Sequence, residues 1–564
     1  MTRWRLGLAF LLLTAIGIPL VMPFLDLWRH PEGWQAWQET GRLASLAANT
    51  AYLILGAVAL SVPFGTIASI LIYRTNLPGR GFFQFLTVVA LFVPMPILVS
   101  AWQSALGAGG WLSVDIWIPA ASSDPDVSPM GTMWKPWVQG RLAAIWIHFL
   151  GGLPWVILIV GIGLRWVERE LEEEALLSVG PWRVLWHVTL PRCQTAIGAA
   201  GLWVAIQTAT EISATDMMQV RTFAEEVYTQ LVGGGASAVA ASLAVAVPSL
   251  IICGLIVAVA AGRLGRQLPP LENLNNPPLR FQMGMSRWPC FIGLALAVIL
   301  IVGVPVASLI WKTGLSGAPA EWSLATFERY LLRAVQSNGW IILRSLASAI
   351  AAGVMTALLA LMACWLAVES PRFQLICLVI LAAAWALPGP VVSFGLKDTI
   401  QWLLDRMDTS SFLGDFTARA LWYGPSPLPI LWIYVIRFFP FALAMLWPVV
   451  RLMPREFIES ARLDGARPSQ EFRRVIFPLC WRPCLLATLA VTVLSLGEIS
   501  ASKLVETPGW DTLVHVIFDR MHYGVGNELA ALCLLLLLVV LFGATMVVLV
   551  ARFFGNRARW SVWW

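Results

Sequence analysis

The stretch ESARLDGARPSQEFRRVIFPL, Glu459 to Leu479, sets acids and arginines on both sides of Gly465 in a chain where only 12% of residues are charged and 58% are hydrophobic. Its apolar positions are Ala461 and Leu463 before the glycine, then Phe472, Val475 and Ile476 after it. This spacing predicts a short amphipathic helix, a break, and a second amphipathic segment that enters an apolar run at Pro478. A solvated loop has no reason to keep an apolar stripe at helical spacing, and a membrane-surface anchor would show a wider one. The pattern fits a socket on a partner protein.

The surroundings of that stretch are those of an integral membrane protein. A mean hydropathy of +0.75 over the chain is too apolar for a domain that must keep a polar exterior in water. Runs of about 20 apolar residues, each long enough to cross a bilayer, recur from end to end and leave no room for a large soluble domain. About twelve are expected by that criterion, near 6–25, 46–73, 82–106, 141–164, 196–218 and 236–262, then 289–311, 341–368, 375–396, 428–450, 484–501 and 527–551. The first follows Arg3 and Arg5 and has no small-x-small cleavage site, so it reads as a retained anchor.

Basic residues stay on the cytoplasmic side of short loops, and here they fall on one side. Arg74, Arg80, Arg165, Arg169, Arg183, Arg192, Arg263, Arg266, Arg280 and Arg287, the group from Arg451 to Arg482, and Arg552, Arg557 and Arg559 all lie on the side where the chain begins. The opposite loops carry the four lysines and most of the aspartates. A multi-pass protein of a bacterial cytoplasmic membrane with both termini inside is expected, and the net charge of +6 reads as a topology signal rather than as nucleic-acid binding. The eight cysteines fall in spans or on the inner side, so no disulfide framework is implied. Cys480 and Cys484 have Pro483 between them and no histidine nearby, and no metal site is expected there.

The chain repeats itself. ELEEEALLSVGPWRVLWHVTLPR, Glu170 to Arg192, carries the skeleton of the opening stretch, and an offset of 287 residues places Pro191 on Pro478 and Glu172 on Glu459. The same offset sets Glu211 in TEISAT on Glu498 in GEISAS, while Pro94 and Pro96 match Pro388 and Pro390 at an offset of 294. The reading is a tandem duplication: a first half over 1–265, a cytoplasmic linker over 266–288 and a second half over 289–564. An even number of spans per half puts both charged stretches on one face.

The run Glu459-Ser-Ala-Arg-Leu-Asp-Gly465, nine residues, then Val475-Ile-Phe-Pro478 resembles the EAA loop of the membrane subunits of binding-protein-dependent ABC importers, whose pattern is Glu-Ala-Ala, three residues, Gly, nine residues, Ile-x-Leu-Pro. The resemblance implies a coupling helix seated in a cleft of an ATPase subunit, with Glu459, Ala461, Asp464, Gly465 and Pro478 as the second docking loop. It implies Glu172, Ser178, Gly180 and Pro191 for the first. There Glu173 and Glu174 stand at the two alanine positions and Ser178 at the glycine, with Gly180 two residues on, so a shifted turn is expected.

The resemblance covers nearly the whole chain, since fused permeases of two such halves occur among importers of ferric iron and thiamine. TEISATDMMQVRTFAEEVYTQL from Thr210, GEISASKLVETPG from Gly497, LPGRG from Leu77 and ALPGPVVSFG from Ala386 look most like the ferric-iron group. It implies two ATPase subunits carrying the ATP and magnesium, an extracytoplasmic binding protein that delivers substrate, and no cofactor on this chain. Ferric iron is the expected substrate, with thiamine, a polyamine or a phosphonate as alternatives in the same family.

Glu211 and Glu498 fall about 15 residues into their spans, roughly 22 Å from the inner surface at 1.5 Å per residue. An ionisable group at that depth must face water or a partner. One reading puts both carboxylates, with Ser213, Thr215, Ser500 and Ser502, in a translocation path or gate. The other has each carboxylate capping a broken helix in its own half. Pro94 and Pro388, with Pro96, Pro390 and Gly389, mark either gate-forming breaks or packing kinks. His148 reads as packed, and His515 and His522 as candidates for an outer docking surface.

Other classes leave different traces. No Lys follows a Gly, so the chain has no phosphate-binding G-x-x-x-x-G-K-[ST] loop and any ATP chemistry belongs to separate subunits. A secondary transporter driven by an ion gradient would not need paired Glu…Gly…Pro loops. A membrane enzyme would need a constellation such as H-E-x-x-H, which does not occur.

Overall fold

Pro94 and Pro388 do more than kink their spans. In the computed structural model Arg80–Leu91 meets Met95–Leu106 at 103°, and Pro371–Ala386 meets Gly389–Leu404 at 115°. The cause is local: a residue before proline is driven out of the helical region, and Leu387 takes φ −79°, ψ 127°. The second proline of each pair, Pro96 or Pro390, then sits in the first turn of the next helix, where its missing N–H costs nothing.

The structure describes residues 2–107, 138–233, 278–317, 321–408 and 410–555, with short pieces between 110 and 134 and between 240 and 254. The protein is an all-α membrane protein, and strand among the described residues is confined to two-stranded pairs. In chain order the helices are α1 (Thr2–Arg29), α2 (Thr40–Arg74), α3 (Arg80–Leu91), α4 (Met95–Leu106), α5 (Arg141–Arg165), α6 (Arg169–Ser178), α7 (Leu190–Thr210) and α8 (Phe223–Gly233). Further along the chain come α9 (Gly284–Gly314), which begins inside the stretch 266–288 read as a linker, α10 (Leu324–Ala367), α11 (Pro371–Ala386), α12 (Gly389–Leu404), α13 (Leu428–Arg451), α14 (Arg455–Leu463), α15 (Pro468–Leu496), α16 (Leu513–Met521) and α17 (Asn527–Phe553).

Among the described residues 8 helices are long and apolar enough to span a membrane, or 10 with each bent pair as one span. The described residues do not reach the expected twelve, in part because they leave out most of one expected span. The fifth expected span is met by α7, which stops at Thr210 where Glu211 turns extended (φ −86°, ψ 135°), and most of the sixth lies outside the described residues.

Lipid tails supply no hydrophobic drive between spans, so packing rests on close contact and hydrogen bonds. At Gly353 of α10 a Cβ would stand 2.6 Å from the carbonyl oxygen of Thr488 on α15, so only glycine permits that approach. α1 and α9 each pack on helices far away in the sequence. Leu12, Ile16, Leu20 and Leu27 of α1 share a core with Val392, Leu396, Ile433 and Phe439, and Trp432 Nε1 donates to the Ala15 carbonyl at 2.6 Å. Likewise Phe291 and Leu294 of α9 pack on Ile72, Leu77 and Phe83, and its Leu309 joins Ile97 and Trp102 of α4.

Candidate functional site: two charged loops and two broken spans

α14 ends as the sequence predicts, in a turn at Gly465 with φ 77°, a left-handed conformation that side chains avoid. The amides of Asp464, Gly465 and Ala466 close the turn on the carbonyls of Ser460, Arg462 and Ala461 at 3.0 Å. The chain restarts at Arg467, whose amide bonds Gln470 Oε1 at 2.9 Å, and runs into α15. A π-helical turn over Phe472–Ile476 precedes Pro478 and absorbs its missing amide. Glu459, Asp464 and Gly465 are exposed, Ala461 is half-buried, and Leu463 at the tip is 89% exposed.

The other loop has the same parts on a shorter turn. α6 is capped by Val179 and α14 by Asp464, which are 285 residues apart, whereas the restarts at Pro181 and Pro468 are 287 apart. Two residues are missing from the first turn. The helix ends therefore pair Glu174 with Glu459, and the constant 287-residue register that matched Glu172 to Glu459 does not hold through α6. Ser178 closes the helix, and Gly180 caps the restart with φ −71°, so this turn needs no left-handed residue. Pro191 follows a second π-helical turn, Leu185–Thr189.

Glu172 points inward. It is fully buried, bonded to the guanidinium of Arg74 at the end of α2 and accepting from Thr189 Oγ1 at 2.6 Å. The second loop also buries one carboxylate, from its other limb: Glu471 accepts from Trp365 Nε1 near the end of α10 at 2.9 Å and from Arg462 Nε at 2.9 Å. Arg462 also pairs with Glu369 at 2.8 Å, and these bonds, led by that to Glu471, raise its already high pKa. No sequence motif marks Arg74, Trp365 and Glu471, because their roles come from tertiary contact. The one readable signal is their place at the end of a long span or in a charged loop.

The broken spans lead to the two intramembrane acids. Glu211 accepts the amides of Ser213 (2.7 Å) and Ala214 (2.8 Å). Glu498 accepts those of Ala501 (2.8 Å) and Ser502 (2.9 Å) and the Ser500 hydroxyl (2.8 Å). Each carboxylate thus caps the turn that follows its own helix, which is one of the two arrangements the sequence allows. Ser213 and Thr215 are buried beside Glu211, and Thr215 Oγ1 bonds the Ile212 carbonyl at 3.1 Å. A Cβ at Gly389 would stand 2.6 Å from the Ser500 carbonyl carbon, so the start of α12 rests on the Glu498 turn. Arg437 donates to the carbonyls of Ala384 and Leu387, both at 3.2 Å, closing the free end of α11. Between the halves, Trp155, Trp203, Trp385 and Phe441 meet with ring centroids 4.9–5.9 Å apart.

His515 is fully buried, with Nε2 2.7 Å from Ser502 Oγ, and so does not belong to an outer surface. His522 is exposed and meets Asp216 across the halves at 3.0 Å. His148 is buried in α5, as expected.

Residues 349–560 match the family model described as the binding-protein-dependent transport system inner membrane component. That region contains the second loop and the second broken span. Over 557 residues, 96% of this chain and 97% of its counterpart, the sequence is 24% identical to the Fe(3+)-transport system permease protein FbpB 2 of Haemophilus influenzae. Over 94 residues, 16% of this chain and 35% of the other, it is 32% identical to a putative 2-aminoethylphosphonate transport system permease protein, PhnV, of Salmonella choleraesuis.

Proposed function

We infer, from the match of residues 349–560 to the family model of binding-protein-dependent transport inner membrane components and the similarity along the chain to an Fe(3+)-transport permease, that it is the fused permease subunit of an ATP-driven importer. It is a transport subunit. ATP hydrolysis falls to separate ATPase subunits, one at each charged loop on the cytoplasmic face, and an extracytoplasmic binding protein delivers the substrate.

The observation that carries this reading is the pair of loops: two short helices at matching points of the repeat, each ended by a turn, each with an exposed apolar tip in Leu177 or Leu463, both 89% exposed. An exposed leucine at the end of a short helix rich in charged residues suits a cleft on a partner. Glu459, Asp464 and Gly465, with Glu174 and Gly180, form the docking surfaces. The limbs α4 and α12, with the turns at Glu211 and Glu498, form the gate of the path.

Ferric iron is the proposed substrate, supported by the similarity that runs the length of the chain. A phosphonate is the second reading, on the shorter similarity. Uptake of radiolabelled ferric iron into proteoliposomes holding this chain, its ATPase and its binding protein tests both levels. ATP-dependent accumulation is expected. Accumulation driven only by an ion gradient would make the chain a secondary transporter, and ATP turnover coupled to phosphonate instead of iron would keep the mechanism and change the substrate.

A further inference from the structure

Both loops are tied to a helix from the opposite half of the sequence. The linker residues Leu279 and Phe281 pack into the first loop against Ala175, Leu176, Val184, Leu185 and Val188. Phe281 pairs with Thr75 in a parallel bridge, its amide donates to the Arg74 carbonyl at 2.8 Å, and its ring lies 5.7 Å from the Arg74 guanidinium that holds Glu172. Asn76 fixes the same segment through Gln282 Oε1 (2.8 Å) and the Met283 amide (3.0 Å). From Gly284 the chain is α9, whose far end packs on α4 beyond the Pro94 break. There Ser308 also accepts from Trp111 Nε1 at 2.8 Å.

The second loop repeats the arrangement with other chemistry. Arg5 of α1 bonds Glu369 at 3.2 Å and the Leu366 carbonyl at 3.3 Å, and Glu369 holds Arg462 of the loop at 2.8 Å. The far end of α1 packs on α12 beyond the Pro388 break, so closely that a Cβ on Gly395 would overlap the Pro19 carbonyl.

We propose that α1 and α9 are connecting rods: each links one ATPase-docking loop to the limb beyond one broken span, so that loop displacement moves the gate through the first span of the opposite half. Phe281 and the Arg5–Glu369 pair are the positioning residues at the loop ends of the rods. Each rod stays helical through a π-helical turn near its middle, Leu13–Gly17 in α1 and Ile299–Gly303 in α9, so a push along its axis passes from one end to the other. The proposal rests on the importer reading.

The test measures two quantities in the same proteoliposomes: substrate imported per ATP hydrolysed, and ATPase retained on purification. The variants are Phe281→Ala, Arg5→Ala and their combination, with Phe281→Leu and Arg5→Lys as conservative partners. Retained ATPase and near-normal ATP turnover are expected, with import per ATP reduced about fivefold or more in the double variant and restored in large part by the conservative pair. Import and turnover falling together, or a double variant as tightly coupled as the parent, would overturn the rods. An unaltered protein that turns over ATP with its partners and imports nothing would instead sink the importer reading beneath them.

Discussion

Arg74 and Glu172 form an ion pair with both side chains fully buried, at the point where the end of α2 meets the underside of the first loop. A buried pair gains little over a well-packed apolar pair, but breaking it leaves a charge with no counterpart. Glu172→Gln or Arg74→Met alone is expected to lower stability by about 3–5 kcal/mol, and the double change Arg74→Met with Glu172→Met to recover most of it. Thermal unfolding of the purified protein in detergent measures both.

The two turns differ in what they ask of glycine. Gly465 has a left-handed backbone and open space around its Cα, so Gly465→Ala costs backbone strain alone, about 1 kcal/mol. Gly180, also in open space but with φ −71°, should accept alanine at no measurable cost. Gly465→Trp is expected to abolish ATPase co-purification by blocking the cleft. Its survival with full uptake would remove the docking role.

Glu211 and Glu498 each accept backbone amides with both oxygens. A glutamine keeps one acceptor and turns its NH2 on the other amide, so each Glu→Gln change should cost about 1–3 kcal/mol. The double variant is expected to assemble with its ATPase and import more slowly. Normal uptake would show that the carboxylates serve only as caps.

At Gly389 the chain passes hard against the Ser500 backbone. Gly389→Ala is expected to destabilise by about 1–3 kcal/mol through overpacking and to raise passive leak through the closed protein. Efflux of a trapped dye or ion from liposomes without ATP measures the leak.

The breaks at Pro94 and Pro388 and the helix-turn-helix at Gly465 were legible because each follows from backbone chemistry within a few residues. The first loop was misread by two residues because a constant offset cannot detect a shortened turn when acids occupy positions 172, 173 and 174 alike. The inward turn of Glu172 was not legible at all: its partner stands 98 residues away at the end of α2. The same holds for Phe281, where nothing local separates a linker from a strap. His515 was misplaced because its burial comes from neighbours that topology alone does not predict.

The crossing of α1 onto α12 and α13 and of α9 onto α2, α3 and α4 has a consequence for assembly. Two free copies that each lend a helix to a neighbour can close into a pair, or pass the helix onward to a third copy and grow without limit. In a single polypeptide the two crossings close on each other within the molecule. Within that one chain the two loops differ, one holding its buried carboxylate on α6 and the other on the α15 limb.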